Sequence, residues 1–280
     1  MVVKNACVLC NGLDHTIIEN CDREYKVLRC MNCGLVYVNP IPPKELLENT
    51  YSKEYYTPWL GNQRRKRIKM WELRFKTLNS FSVRKSNLLD VGCGEGLFLE
   101  IAKENGWDVT GTEISGFAAK YGRDNLGLNI FEGEVMDAGF PDKTFDAITM
   151  WHVLEHTRNP MTILKEIKRI IKDNGVFILA VPNLDNKIMQ IVYRIVKGKH
   201  LHLFNIDDRE MHFYHFNKKT ITMAMEKSGF KVMGIKADRG IIEVKRKFLN
   251  IIAELIDSIL GTTTVEALEV HAKPSKFVNL

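Results

Sequence analysis

Leu88-Leu89-Asp90-Val91-Gly92-Cys93-Gly94-Glu95-Gly96, followed downstream by the acidic Glu113, is the stretch that decides the fold. An apolar strand runs into three glycines on alternate positions, and a helical pattern opens directly behind them. Glycine leaves the backbone bare, so a ligand can lie against peptide groups that any Cβ would screen. The spacing is G-x-G-x-G. Leu97 stands where the dinucleotide pattern G-x-G-x-x-G places its third glycine, which argues against a pyrophosphate on the helix N-terminus. Residues 108–113 read as the next strand, and the Glu113 carboxylate at its end suits both hydroxyls of a ribose. The turn therefore reads as a nucleoside-binding loop.

From Asn87 onward, apolar runs alternate with helical periodicity. Strands are expected at 88–92, 108–113, 129–133, 145–150, 175–181, 231–237 and 265–272, and helices near 96–105, 115–126, 160–172 and 218–228. Such alternation builds a parallel sheet with helices on both faces. Val176-Phe177-Ile178-Leu179-Ala180-Val181 is apolar throughout, as a doubly buried strand requires. Two stretches interrupt the pattern. Residues 183–216 are rich in histidine and aromatics, and about 247–260 forms an amphipathic helix (Phe248, Ile251, Ile252, Leu255, Ile256, Ile259). That helix is expected to pack on the sheet or at a homodimer interface, in preference to a membrane. Ahead of the sheet, Pro40, Pro42 and Pro43 break the chain. An aromatic segment (Tyr51, Tyr55, Tyr56, Trp59) and helical spacing over 68–81 follow. The expected organisation is a cysteine-bearing segment 1–40, a linker with a lead-in helix 41–86, and an α/β domain 87–280 with insertion 183–216.

A chain of 280 residues with 45% hydrophobic content supports one large core and a small appendage. No apolar run approaches the ~20 residues of a membrane span. The N-terminus has no signal-peptide core, so a cytoplasmic protein is expected. A net charge of +6 and a pI near 8.9 favour an anionic partner without selecting nucleotide, lipid headgroup or RNA.

Cys7-Val-Leu-Cys10 and Cys30-Met-Asn-Cys33-Gly34 form a CxxC…CxxC pair. Each pair makes a knuckle whose thiolates point at one ion, and two knuckles complete a tetrahedral shell. Thiolate in all four positions makes this a structural Zn²⁺ site, which would stabilise a segment too small to hold a core alone. Cys21 and Cys93 read as packing residues.

Further blocks carry a family resemblance. The glycine turn with Glu113 resembles the first motif of class I S-adenosylmethionine (SAM)-dependent methyltransferases. Phe145-Asp146-Ala147-Ile148-Thr149-Met150-Trp151-His152-Val153-Leu154-Glu155-His156 resembles the fourth-strand block of a large methyltransferase family. Val181-Pro182-Asn183, His212-Phe213-Tyr214-His215-Phe216 and Ser228-Gly229-Phe230 fit it too. The knuckles with Leu35-Val36-Tyr37-Val38-Asn39-Pro40 resemble the N-terminal zinc segment of a subset often linked to sugars in polysaccharide or antibiotic pathways. The resemblance implies an α/β Rossmann-like class I sheet, mostly parallel, with Ala267 to Ala272 as a final antiparallel strand. It implies SAM as cofactor, with Asp90, Gly92, Gly94 and Gly96 around the methionine part and Glu113 on the ribose. Glu134 stands near the adenine amine, where the family usually has Asp. Trp151 and His152 leave the fourth strand beside the cofactor, at the topological switch point.

Methyl transfer from a sulfonium is an in-line displacement that asks the protein for alignment and exclusion of water. A hydroxyl acceptor also needs a base, and His152, His156, His212 and His215 are the candidates, with His152 first because it follows the strand bordering the cofactor. His152-x-x-Glu155-His156 resembles the Glu-x-x-Glu-His metal element of some O-methyltransferases of quinones and RNA 3′ ends. Histidine in the first position weakens the case for Mg²⁺, but with His212 or His215 the set could hold a transition metal. The 183–216 insertion is expected to fold over the cofactor as a lid, with Lys187, Arg194, Lys197, Lys199, His200 and His202 suited to phosphate. The expected function is methylation of a small hydroxylated acceptor, a sugar or a nucleotide- or lipid-linked sugar. The alternatives are an rRNA methyltransferase, with Arg64-Arg65-Lys66-Arg67 on phosphate, and a non-catalytic binding module.

Overall fold

The computed structural model describes residues 6–21, 24–44, 46, 50–61, 63–81, 86–198, 200–238, 240, 244–260 and 262–275. The chain opens with three antiparallel strands, β1 (His15–Asn20), β2 (Lys26–Cys30) and β3 (Val36–Asn39). Two helices follow, α1 (Lys53–Leu60) and α2 (Arg64–Asn79). Alternation then begins with β4 (Asn87–Val91), α3 (Leu97–Glu104), β5 (Asp108–Glu113), α4 (Gly116–Leu126), β6 (Asn129–Glu132) and β7 (Phe145–Trp151). A 3₁₀ turn (Leu154–His156), α5 (Pro160–Ile170), β8 (Ile171–Pro182) and α6 (Lys187–Lys197) come next. The chain closes with β9 (Tyr214–His215), α7 (Lys218–Lys227), β10 (Phe230–Ala237), α8 (Val244–Leu260) and β11 (Ala267–Pro274).

The main sheet has the order β10-β11-β8-β7-β4-β5-β6. Its strands pair in parallel from β6 through β8, and β11 runs antiparallel to both β8 and β10. This is the mostly parallel α/β Rossmann-like sheet expected from the sequence, with the last strand reversed. Alternate residues of β8 enter separate cores. Phe177, Leu179 and Val181 join the core that also holds Leu89, Ile148 and Met150, while Val176, Ile178 and Ala180 join Leu88, Ala147 and Trp151 on the other face. Helix starts have local causes. The Ser115 hydroxyl accepts from Ala118 N–H, and Asn159 caps the helix that Pro160 begins. Asn217 and Thr220 form a reciprocal capping box at α7.

Several expected boundaries move. The lead-in helix starts at Arg64, not Ile68, because Arg67 is buried against Glu95 and makes the polar first turn part of the packing. Strand β8 begins at Ile171, which pairs with Phe145; the polar Lys172, Asp173 and Asn174 conceal this in the sequence. The four-stranded sheet β1-β2-β3-β9 was not expected. Its short strands offer little apolar alternation, and β9 comes from the insertion, pairing Val36 with His215 and Tyr37 with Tyr214.

The insertion is strapped to this second sheet. Glu19 on β1 accepts from Leu203 N–H and from His202, and Phe204 packs on Tyr25. Lys187, Arg194, His200 and His202 are exposed; Lys199 and the Lys197 side chain lie outside the described residues. Helix α8 buries Ala253 and Asn250 and exposes Ile251 and Leu255, while the side chains of Phe248 and Ile259 lie outside the described residues.

The glycine turn is shaped by its neighbours. Gly92, Gly94 and Gly96 have φ of 70°, 57° and 88°, where a Cβ is strained. An added Cβ would stand 2.4 Å from Val153 at Gly92 and 2.4 Å from Leu128 at Gly96. Only at Gly94 is the nearest atom, on Tyr56, at an ordinary 3.5 Å. Gly92→Ala should therefore cost about 2–4 kcal/mol by urea unfolding, from left-handed strain plus overpacking. Gly139 has φ 63° and open space, so Gly139→Ala should cost only the strain, about 1–2 kcal/mol. Adding Val153→Ala should recover part of the Gly92→Ala loss, and equal costs at the two glycines would refute the packing account.

Candidate active site

Strands β4 and β7 lie side by side, with Val91 paired to Met150, so the turns that leave them meet. Glu113 ends β5 beside them with 5% exposure. Its Oε2 accepts from Gly94 N–H and its Oε1 from Ser115 N–H, both at 2.8 Å. Burial raises its pKa, and those two donors oppose the rise. Asp90 is deeper. Its Oδ1 accepts from the Thr149 hydroxyl at 2.6 Å, and burial pushes its pKa up to about 7. Glu134 is more open, with Lys44 at 4.0 Å.

The aromatic segment closes over this floor. Tyr56 lies against Gly94, and Tyr51, Tyr55, Trp59 and Phe117 cluster with it. The Ser115 hydroxyl donates to the Tyr51 carbonyl, and the Tyr55 hydroxyl donates to Glu210. Arg67 lies over the Trp59 ring at 4.5 Å and pairs with Glu95 of the glycine turn. Sequence reasoning noted these aromatics but gave them no role; their density just before the sheet was the available signal.

His152 follows β7 with φ 55°, a left-handed conformation that histidine adopts more readily than most residues. Its side chain is 33% exposed and stands between two buried acids. Nε2 is 2.8 Å from Asp238 Oδ2, and Nδ1 is 3.5 Å from Glu155 Oε1. Burial pushes the ring's pKa down, but Asp238 and Glu155 outweigh it and hold it at about 9. Trp151 packs on Trp71 and Phe98, on the face of the sheet below His152. Asp238, immediately after β10, belongs to no motif and was missed.

Glu155 is fully buried, and neither of its oxygens has a hydrogen bond among the described residues. Its acidity survives burial because His152, His156 and His212 hold its pKa below the ordinary value. His156 Nδ1 donates to the Met211 carbonyl at 2.8 Å, and its Nε2 stands 3.9 Å from Glu155 Oε1. Glu155, His156 and His212 bring three donor atoms within 4.8 Å of one another. Burial pushes His212 down to about 4 and His215 down to about 3, so both rings are neutral at pH 7. The structure thus brings the four histidines to one region, with His152 Nε2 on Asp238 and its Nδ1 facing the Glu155 carboxylate that His156 and His212 also approach.

The four cysteines also converge. Cys7 and Cys33 sulfurs are 3.6 Å apart, Cys10 and Cys30 sulfurs 3.5 Å, and all four lie within 4.8 Å. A tetrahedral zinc with ~2.3 Å bonds spaces its sulfurs by about 3.8 Å, so the donor set fits that ion. Cys21 and Cys93 stand apart from it.

A family model described as a methyltransferase domain matches residues 62–234. An uncharacterised protein of Methanocaldococcus jannaschii is 30% identical over 163 residues, 52% of this chain and 62% of that protein. The mitochondrial ubiquinone biosynthesis O-methyltransferase of Schizosaccharomyces pombe is 31% identical over 114 residues, 38% of this chain and 40% of that enzyme. The match thus spans less than two thirds of either relative. Among solved structures, a SAM-dependent methyltransferase from Archaeoglobus fulgidus aligns with a TM-score of 0.53 at 18% identity, covering 78% of this chain and 99% of that one. A likeness at that identity speaks for the fold alone. The family match runs from the start of α2, through the glycine turn and His152, into β10, and the chain belongs to the methyltransferase-domain family.

Proposed function

We propose that this protein transfers a methyl group from SAM to a hydroxyl oxygen of a small acceptor, with His152 receiving the hydroxyl proton. The observation that carries this reading is the placement of His152 at the switch point, beside the glycine turn, part-exposed and flanked by two buried carboxylates. The cleft residues fit SAM. Glu113 is a buried acid at the end of β5, Gly94 offers bare backbone beneath Tyr56 with its N–H on Glu113, and the tyrosines above supply π-faces suited to a sulfonium cation. SAM bound there supplies a methyl group already activated on sulfur. The chain's own work is to align the acceptor oxygen and exclude water.

His152 works as a base only as the neutral ring. Its pKa of about 9 makes that form the minority at pH 7. A second positive charge in the cleft opposes the imidazolium and favours the neutral ring. His212 and His215 are already neutral, but their low proton affinity suits them to holding an acceptor hydroxyl more than to taking its proton.

The sugar class of acceptor rests on the cysteine segment and on the exposed Lys187, Arg194 and His200. The S. pombe relative is by name an O-methyltransferase, and any hydroxyl acceptor makes the same demand on His152. The RNA reading loses part of its support, because Arg67 is buried with Glu95 and Arg64 pairs with Glu100, leaving Arg65 and Lys66 exposed. We further propose that Cys7, Cys10, Cys30 and Cys33 hold a structural Zn²⁺, from the spacing of their sulfurs.

Calorimetry should register SAM binding well below about 1 mM, and no heat up to that concentration would sink the enzyme reading. With tritium-labelled methyl SAM offered a catechol, a free sugar and a nucleotide sugar, turnover should rise with pH toward about 9. His152→Ala should lower turnover ~10²-fold without weakening SAM binding; unchanged turnover removes His152 as the base. Elemental analysis should find zinc equimolar with the chain, and Cys30→Ser should lower both zinc content and melting temperature. Metal content unaffected by that substitution would argue against the zinc assignment.

A further inference from the structure

Asp238 is buried and accepts four hydrogen bonds. Its Oδ2 accepts from His152 Nε2 at 2.8 Å and from Arg74 Nη2 at 2.6 Å. Its Oδ1 accepts from Arg74 Nε at 3.2 Å and from Gly240 N–H at 2.9 Å. Arg74 is itself immobilised, with its guanidinium 4.8 Å from the Trp71 ring and 4.7 Å from the Trp151 ring. The second of those rings belongs to the residue just before His152. A fork of two donors, packed in the corner made by two indoles, holds the carboxylate at one place and in one orientation.

We propose that Asp238 is the positioning residue of His152: it fixes Nε2 as the protonated nitrogen and leaves Nδ1 as the atom that meets the acceptor hydroxyl. The inference rests on His152 acting as the base. Asp238 can only accept, because burial, which raises its pKa, is outweighed by Arg74 and His152, and the group stays ionised. At 2.8 Å, against 3.5 Å between Nδ1 and Glu155, Asp238 is the nearer acceptor and holds the single proton of the neutral ring on Nε2. The left-handed backbone at residue 152 brings Nε2 to Asp238, on the far side of the ring from Glu155. As the acceptor oxygen bonds to the methyl carbon, the methyl–sulfur bond breaks with its electron pair left on sulfur. The hydroxyl proton passes to Nδ1. The imidazolium so formed lies between Asp238 and Glu155, with Arg74 opposing it from behind Asp238 and with His156 and His212 beyond Glu155.

The test is nitrogen NMR of the full chain with labelled histidine, the His152 signals being identified by their loss in His152→Gln. Wild type should titrate near pH 9 and show the Nε2–H tautomer once neutral. Asp238→Asn should lower that titration by about 1–2 pH units and mix the tautomers, and Asp238→Glu should restore one tautomer. A merely structural aspartate would leave both readouts where they are. An Nδ1–H tautomer in wild type overturns the proposal even where Asp238→Asn fails to fold, as does an unmoved titration in a folded Asp238→Asn. Saturating SAM should also lower the wild-type titration. If Asp238→Asn moves His152 but SAM does not, the pairing stands and the base role of His152 falls.

Discussion

Parallel pairing of β4 with β7 is the constraint on which the site depends. With Leu88 opposite Ala147 and Val91 opposite Met150, the chain leaves both strands at the same height. The glycine turn and the His152 turn must then share one space. Val153 presses on Gly92, where a Cβ would stand 2.4 Å from it, so the first glycine serves the neighbouring loop before any ligand. One missing side chain thus holds the glycine turn and the His152 turn in a fixed relation.

Around this junction the protein buries charge in pairs. Arg74 with Asp238, and Arg67 with Glu95, are each nearly inaccessible, and each arginine also lies on tryptophan. Removing one partner of such a pair typically costs about 3–5 kcal/mol, because the other charge is left buried and alone. Both arginines come from α2, a helix that carries no motif. It anchors Glu95 in the glycine turn and Asp238 beneath His152, and so ties the lead-in segment to both halves of the site.

The cysteine-bearing strands are joined to the same region. β3 pairs antiparallel with β9, the Val38 N–H donates to the Phe213 carbonyl, and the Phe213 N–H donates to the Glu155 carbonyl. His215 sits on β9 and His212 just before it. Whatever stabilises the cysteine cluster therefore bears, through three short links, on the backbone that presents Glu155 and two of the histidines.

Much of this was legible in the chain. Apolar continuity in Val176 to Val181 marked a doubly buried strand, and three alternating glycines with Glu113 marked the switch-point loop, because those features depend on local periodicity and backbone freedom. Spacing brought the cysteines together on paper as it does in space. Asp238 and Arg74 were invisible, since each is an ordinary charged residue until a partner 164 residues away gives it a role. The pairing of β9 with β3 was hidden for the same reason: two residues carry no pattern. The protonation of His152 also escaped the sequence, which singled out a histidine directly after the fourth strand of the main sheet but not the acids on either side of it. Residue type and spacing decided the fold and the kind of site. Only the tertiary structure decided which charges face one another, because electrostatic partnership depends on distance in space and burial, and neither is written in sequence order.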